Sequence, residues 1–158
     1  MTIALEGPAA PLALTGPPPR DPRELVSGET FTKLVRYVTT HQEVHRFYAE
    51  REVGQMLVFL KAICQNPGVR LVPDLSVDPA WHAFLMHTQD YTSFEAEHNN
   101  GERLHHVPYI DADITSGAAM MRTIPLLHKT GFKVDAEFWE TGASCCPPNP
   151  PPPCSDGD

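Results

Sequence analysis

The chain has 158 residues, 17 prolines and a net charge of −8, and its length fits a single domain. Its 12 basic residues are scattered, which argues against a protein that grips the nucleic-acid backbone with clustered lysines and arginines. The longest apolar stretch, residues 56–63, is too short to span a bilayer, and the N-terminus lacks the basic start of a signal peptide. We therefore expect a cytoplasmic protein that binds neither nucleic acid nor membrane.

Prolines concentrate at both ends of the chain and predict its domain organisation. They crowd the N-terminal residues and residues 147–153, and proline-rich sequence favours an extended, unpacked backbone. We expect a disordered Pro-rich arm over residues 1–20, a single helical domain over residues 21–142, and a flexible Cys/Pro-rich tail over residues 143–158. If the chain has a protein partner, these Pro-rich tails are the segments expected to contact it.

Apolar residues at helical spacing predict the first two helices of the central domain. Asp21, followed by a proline and a glutamate three residues later, is typical of a helix start. A long helix is expected over residues 30–41. The second helix carries an apolar face that includes Cys64 as a small buried residue, and it ends at the Asn-Pro-Gly of residues 66–68 because proline cannot continue a helix.

A third helix is expected over residues 78–98, with Asp78 as its cap and Pro79 at its first position. A fourth helical region begins near residues 111–113, and Pro125 inside it predicts a kink or a split into two short helices. One further turn follows before Gly142. The fold class is therefore all-α, a compact bundle of four to five helices.

Five histidines lie between positions 82 and 106 and form the candidate functional centre. His82 and His87 flank the core face of the third helix on opposite edges, so they do not form the one-face pair of an HExxH helix. Asp78 precedes His82 by four residues, which makes the two side chains neighbours. Asp78 can therefore ligate a metal beside His82, accept the second ring N–H of His82, or serve only as the helix cap.

After the third helix, a turn led by Gly101 is expected to bring His105 and His106 back toward it. Imidazole nitrogens and a carboxylate oxygen are donors that zinc and ferrous iron accept. The predicted site for a divalent metal, zinc or iron, is therefore His82, His106 and Asp78, with His87 and His105 as alternates. The competing interpretation is that these histidines are hydrogen-bonded structural residues.

These same residues resemble a known signature. An Asp three residues before a Trp-His pair, a second His, a Tyr and a Gly-led turn ending in His are typical of the glycine-rich-domain-containing-protein-like family of plants and its shorter bacterial relatives. The resemblance spans roughly residues 45–146 and implies a shared residue set rather than a reaction. That set is Asp78, Trp81, His82, His87, Tyr91 and His106. Phe84 departs from the pattern, because plant members tend to have a further His there, so a site using that ligand is reduced here.

The C-terminal tail carries three cysteines, Cys145, Cys146 and Cys154, separated by prolines. Three thiolates can bind a soft metal, and a His of the domain can complete the coordination. A disulfide from Cys145 or Cys146 to Cys154 is an alternative, because adjacent cysteines pair only with strain. The tail is otherwise a disordered, reactive segment, since prolines oppose wrapping around one ion.

These observations predict a metal-binding helical domain and leave its reaction open. Iron held by two histidines and one carboxylate would have open positions for oxygen chemistry, and zinc with an open position would support Lewis-acid reactions. A closed four-ligand site would be structural. One alternative is a non-enzymatic protein-interaction module with structural histidines. Another is a precursor protein whose Cys-rich tail is modified by a partner enzyme.

Overall fold

The computed structural model describes residues 16–139, and within them the backbone forms six α-helices and two short 3-10 helices. The α-helices are α1 (Gly28–Gln42), α2 (Arg46–Gln65), α3 (Asp78–Met86), α4 (Thr88–His98), α5 (Ala112–Thr115) and α6 (Ala118–Lys129). The 3-10 helices cover Pro22–Leu25 and Ala136–Phe138. The described chain is thus mostly helical and contains no strand, which confirms the all-α prediction.

Helix α2 lies at the centre of the bundle and contacts α1, α3 and α6. Its middle section, residues 52–60, is buried on every side, as expected for a helix surrounded by others. The His45 ring accepts a hydrogen bond from the Phe47 amide at its start, and Gly68 takes a φ of 80° just beyond its end. Both ends of α1 and the C-terminal end of α2 therefore lie close to where the sequence places them.

The predicted third helix is two helices, because the chain bends at His87. The Nδ1 atom of His87 forms a 2.7 Å hydrogen bond with the Ala83 carbonyl. In a continuous helix, that carbonyl would accept a hydrogen bond from the backbone amide of His87. That amide instead donates to the carbonyl of Phe84 at 3.0 Å. The side chain thus takes over a backbone acceptor, and α3 stops at Met86 before α4 begins at Thr88.

The fourth helical region splits as predicted, but at a different point. The break falls at Gly117, whose φ is 79°, whereas Pro125 lies inside α6. The residues Ala119, Thr123 and Leu127 of α6 are fully buried, whereas Met121 is 77% exposed. Two short helices therefore exist here, with α5 containing only four residues.

The two ends of the described chain meet beside α2. Arg20 pairs with Phe132 through an isolated parallel bridge, with hydrogen bonds to Gly131 and from Lys133. Asp135 then caps the last 3-10 turn, as predicted, and Trp139 is 1% exposed. None of the described helices has the length and apolar character needed to cross a bilayer. The predicted N-terminal arm and the tail at residues 143–158 lie outside the described residues, apart from the arm's last five positions.

Candidate metal centre

Helix α3 supplies two of the site residues from adjacent turns. Asp78 is its first residue and His82 follows one turn later, so both side chains leave the same face. The prediction that Asp78 caps the helix is wrong, because Val77 occupies the cap position and no side-chain cap bond forms there. The Asp78 carboxylate instead contacts two imidazoles, His82 and His106.

The third residue, His106, lies in an extended segment that returns from α4. Glu95 of α4 is 1% exposed and accepts a 2.8 Å hydrogen bond from the Leu104 amide. The Tyr91 hydroxyl accepts from the Trp81 indole N–H at 3.0 Å and donates to the Leu104 carbonyl at 2.9 Å. Leu104 is thus fixed through both its backbone groups, which sets the position of His106 two residues later.

Asp78, His82 and His106 together form the candidate site, and their ligand atoms converge. The Nε2 atom of His106 lies 2.8 Å from Oδ1 of Asp78 and 3.2 Å from Nε2 of His82. The Nε2 atom of His82 lies 3.3 Å from the other Asp78 oxygen. The His106 ring also packs edge-on against Trp81, with centroids 4.5 Å apart. Two imidazole nitrogens and a carboxylate therefore surround one point.

The separation of these atoms matches a metal coordination sphere. Bonds of about 2.0–2.2 Å from zinc to nitrogen and oxygen place tetrahedral ligand atoms roughly 3.4 Å apart and octahedral neighbours roughly 3.0 Å apart. The Nε2–Nε2 separation of 3.2 Å lies in this range, and each Nε2 lies 2.8 or 3.3 Å from one of the two oxygens of the Asp78 carboxylate. The triad lies close enough to hold a metal ion.

The three ligand residues differ in exposure, and the site opens to one side. The side chains of His106 and Asp78 are 14% and 22% exposed, whereas that of His82 is 58% exposed. A cavity of about 360 Å³ lies against the open side and has all three residues in its wall. A ligand of a bound metal can therefore approach from the cavity.

The wall of this cavity is mainly apolar, and we call it the site groove. Five apolar side chains that are at least 40% exposed line it: Val69, Leu75, Val107, Tyr109 and Ile110. The described residues contain eight such exposed large apolar side chains, so most of them face this one groove. Arg70 also lines the groove, but its guanidinium pairs with Asp111. The exposed apolar surface is thus concentrated beside the triad.

The remaining predicted ligands lie outside the triad. His87 is directed away, with Nδ1 on the Ala83 carbonyl and its ring edge-on to Tyr37 at 5.3 Å. His105 is exposed and lines the groove, yet it is not part of the cluster. Phe84, where the plant pattern that the sequence resembles has a further His, is fully buried and packs against Tyr91. A ligand at position 84 would therefore lie in the core rather than in the site.

One cysteine lies in the described helical domain, and the other three lie in the C-terminal tail. Cys145, Cys146 and Cys154, predicted as a second thiolate site, lie outside the described residues. Cys64 packs against the core from a partly buried position on α2, and burial raises the pKa of its thiol. It is a packing residue, as expected.

Glu95 and Glu52 are buried polar residues that the sequence analysis missed. Glu95 holds the segment after α4 in place by accepting the hydrogen bond from the Leu104 amide. The sequence feature that could have indicated its burial is its position one turn after Tyr91, on the apolar face of α4. Glu52 is fully buried on α2, and desolvation by burial raises the pKa of its carboxyl from 4.5 to about 7. Gln42 donates a 2.9 Å hydrogen bond to one Glu52 oxygen, while the other oxygen has no partner in the described structure.

Comparison with known proteins adds no assignment to this geometry. A scan against protein-family models, a search of curated proteins and a search of solved structures each found no match for this chain.

Proposed function

We propose that the chain is a metal-binding helical domain that holds one divalent ion, zinc or ferrous iron, between His82, His106 and Asp78. The observation that carries the proposal is the convergence of two Nε2 atoms and a carboxylate from two separate segments, with one ligand atom of each residue within 4.8 Å of the others. Nitrogen and oxygen donors of this kind are those that both ions accept.

Hydrogen bonding alone accounts less well for these contacts than a cation does. Each Nε2 carries at most one proton, so linear hydrogen bonds can satisfy two of the three contacts within the triad, but not all three. The 3.2 Å contact between His82 and His106 is then the unsatisfied one if both rings donate to Asp78. A cation at the centre meets three lone pairs at once and neutralises the carboxylate.

The residues around the triad fit the role of supports for metal ligands. Ligand residues are commonly fixed by a surrounding layer of hydrogen bonds and packed rings. Here Trp81 packs on His106, and Tyr91 and Glu95 fix the backbone of Leu104. The pattern that the sequence resembles contains Trp81 and Tyr91 as well as the three proposed ligands. The contacts of Trp81 and Tyr91 give a physical reason for finding them in the same pattern.

Three protein ligands leave coordination positions free on the groove side. A zinc ion would have one open position, suited to polarising a bound water or carbonyl, and an iron ion would have more. A further ligand from elsewhere would instead close the site and make it structural. An open site would be suited to catalysis, whereas a closed site would be structural.

The test is the metal content of the purified full-length protein, measured by elemental analysis after growth with zinc and with iron. We expect about one ion per chain, lost in the His82→Ala/His106→Ala double variant. The matched control is His41→Ala/His128→Ala, which removes two exposed histidines outside the triad. The control variant should keep the full metal content.

The same measurement separates the competing function. A protein-interaction module with structural histidines would purify without metal and fold normally, and such a result would end the proposal. Equal metal content in the double variant and the control would also refute it, because the ion would then lie elsewhere.

A further inference from the structure

We infer that the site groove binds a small aliphatic carboxylate, whose head group occupies an open position of the metal while its hydrocarbon chain lies against the apolar wall. The inference rests on the proposed metal site and names the class of ligand that this site takes. It depends on two features that lie side by side, a cation with a free position and a wall that can bury methylene groups.

The groove has the size and the lining of a small-molecule site. Its volume of about 360 Å³ lies within the roughly 300–1,000 Å³ that such sites occupy, and they are commonly apolar with a few polar groups. Here apolar side chains make up most of the wall, and the polar ones include the whole triad. This division suits a ligand with a hydrocarbon body and one polar head group.

Two segments supply the exposed apolar side chains of the wall. Val69 and Leu75 belong to the loop between α2 and α3, and Val107, Tyr109 and Ile110 follow the triad in the chain. Apolar surface of this kind gains free energy when a ligand removes it from water. Four of these five side chains are aliphatic, which favours a flexible aliphatic chain over a planar ring that would gain from stacking.

Contacts between protein groups hold these segments in place. The Arg70 guanidinium pairs with Asp111, whose carboxylate also accepts hydrogen bonds from two amides at the start of α5. The Val72 amide donates a 3.1 Å hydrogen bond to the Thr123 hydroxyl of α6. These contacts fix both sides of the groove without a ligand, so a ligand can bind with little rearrangement.

The charges of the groove favour an anionic head group. Among the described residues that line it, Arg70 and Asp78 carry the charged side chains, and Arg70 is already neutralised by Asp111. A divalent ion held by one carboxylate and two neutral imidazoles keeps one positive charge, which is costly in an apolar surrounding. A second carboxylate removes that charge, and its oxygens are ligands that zinc accepts.

The experiment uses octanoate as the probe and cobalt(II) as a spectroscopic substitute for zinc in the full-length protein. Octanoate is titrated into the cobalt-loaded protein and, by calorimetry, into the metal-free protein. We expect one octanoate per chain and a change in the visible absorption of the cobalt, because its coordination changes. The metal-free protein should bind octanoate at least about tenfold more weakly, since the head group then loses its charged partner.

Two related probes separate the roles of the chain and the head group. Burying one methylene strengthens binding about fourfold, so octanoate should bind at least about tenfold more tightly than butyrate, which has four fewer methylenes. 1-Octanol has a chain of the same length without the charge and should bind at least about tenfold more weakly than octanoate. If butyrate matches octanoate, the chain does not lie in the groove, and if octanol matches octanoate, the metal does not hold the head group. Either result refutes the inference.

A pair of double variants tests the wall of the groove. Val69→Ser/Ile110→Ser removes one exposed apolar side chain from each of the two segments, whereas Met86→Ser/Met121→Ser removes two exposed ones outside the groove lining. We expect the first variant to bind cobalt normally but octanoate at least about tenfold more weakly. The second variant should match the native protein. Equal octanoate affinity in the two variants would place the chain elsewhere and overturn the inference.

The outcomes distinguish failure of this inference from failure of the proposed function. If cobalt binding depends on His82 and His106 but octanoate leaves the cobalt absorption unchanged, the inference is wrong and the proposed function stands. If the protein binds no cobalt, both are wrong. Sedimentation velocity tests a second copy of the chain as the occupant. A dimer that Val69→Ser/Ile110→Ser dissociates would show that the groove is covered by its partner, and the inference would then be wrong as well.

Discussion

Substitution of Glu52 by glutamine should stabilise the protein at alkaline pH and leave its stability at pH 4.5 nearly unchanged. Glu52 is 0% exposed and lies on the central helix α2. One of its oxygens accepts from Gln42 and the other has no partner in the described structure. Glutamine keeps the shape and the acceptor for Gln42 but can never become an anion.

The magnitude follows from the pKa of the Glu52 carboxyl, which burial raises from 4.5 to about 7 in the folded chain. Between these values the folded state binds the proton more tightly than the unfolded state, so the free energy of unfolding falls as pH rises. The loss begins above the unfolded pKa and is complete just above 7. A shift from 4.5 to about 7 corresponds to about 3 kcal/mol.

The assay is urea unfolding, followed by circular dichroism, of native protein and Glu52→Gln at several values between pH 4.5 and 8. A chelator present throughout keeps the metal site out of the comparison. The stability difference between the two proteins should grow with pH by about 3 kcal/mol and then level off. The control is Glu43→Gln, which changes an exposed carboxylate just after α1 in the same way. A stability difference for Glu52→Gln that does not change with pH would show that burial does not raise the pKa of this carboxyl.

Three further substitutions test the supports of the site. Tyr91→Phe removes the hydroxyl that joins Trp81 to Leu104. We expect the free energy of unfolding in urea to fall by about 1–3 kcal/mol and zinc binding, measured by chelator competition, to weaken about tenfold. An unchanged zinc affinity would contradict the role of the hydroxyl. His87→Ala should keep one metal per chain while lowering stability, and loss of metal in elemental analysis would show that His87 is a ligand. Phe84→His should add no metal ligand and should lower the free energy of unfolding by roughly 3 kcal/mol or more, because it buries a polar imidazole in place of a phenyl ring. Tighter zinc binding in this variant would show that position 84 can supply a ligand.

Much of the fold could be predicted because the signals that set helix ends are local. The cap at Ser27 and the Gly68 turn define the ends of α1 and α2 within a few residues. The break at His87 could not be predicted from apolar spacing, which continues through it, because a side-chain bond to a backbone carbonyl causes it. The same spacing gave no sign that Gly117, rather than Pro125, separates α5 from α6.

The site was predictable to the extent that it depends on chain geometry. Asp78 and His82 are one helical turn apart, so their proximity follows from the spacing alone. The choice between His105 and His106 also had a signal, because alternate residues of an extended segment face opposite sides. Leu104 is buried and His106 shares its side, whereas His105 faces outward. The site groove had no such signal, since residues from two distant regions of the sequence, 63–82 and 105–114, form it.

The hydrogen bonds around His106 indicate what kind of metal site the triad would form. A buried glutamate is costly unless it is paired, and Glu95 is paired with the Leu104 amide and with Arg103. These bonds fix the return segment through protein groups alone, so its position does not depend on an ion. Small zinc domains differ, because their ligands converge only when the metal is bound and the apo chain is unfolded. Here the helical core already sets the three side chains in place, so the binding energy of a metal held by the triad would contribute to affinity or to holding a further ligand rather than to folding.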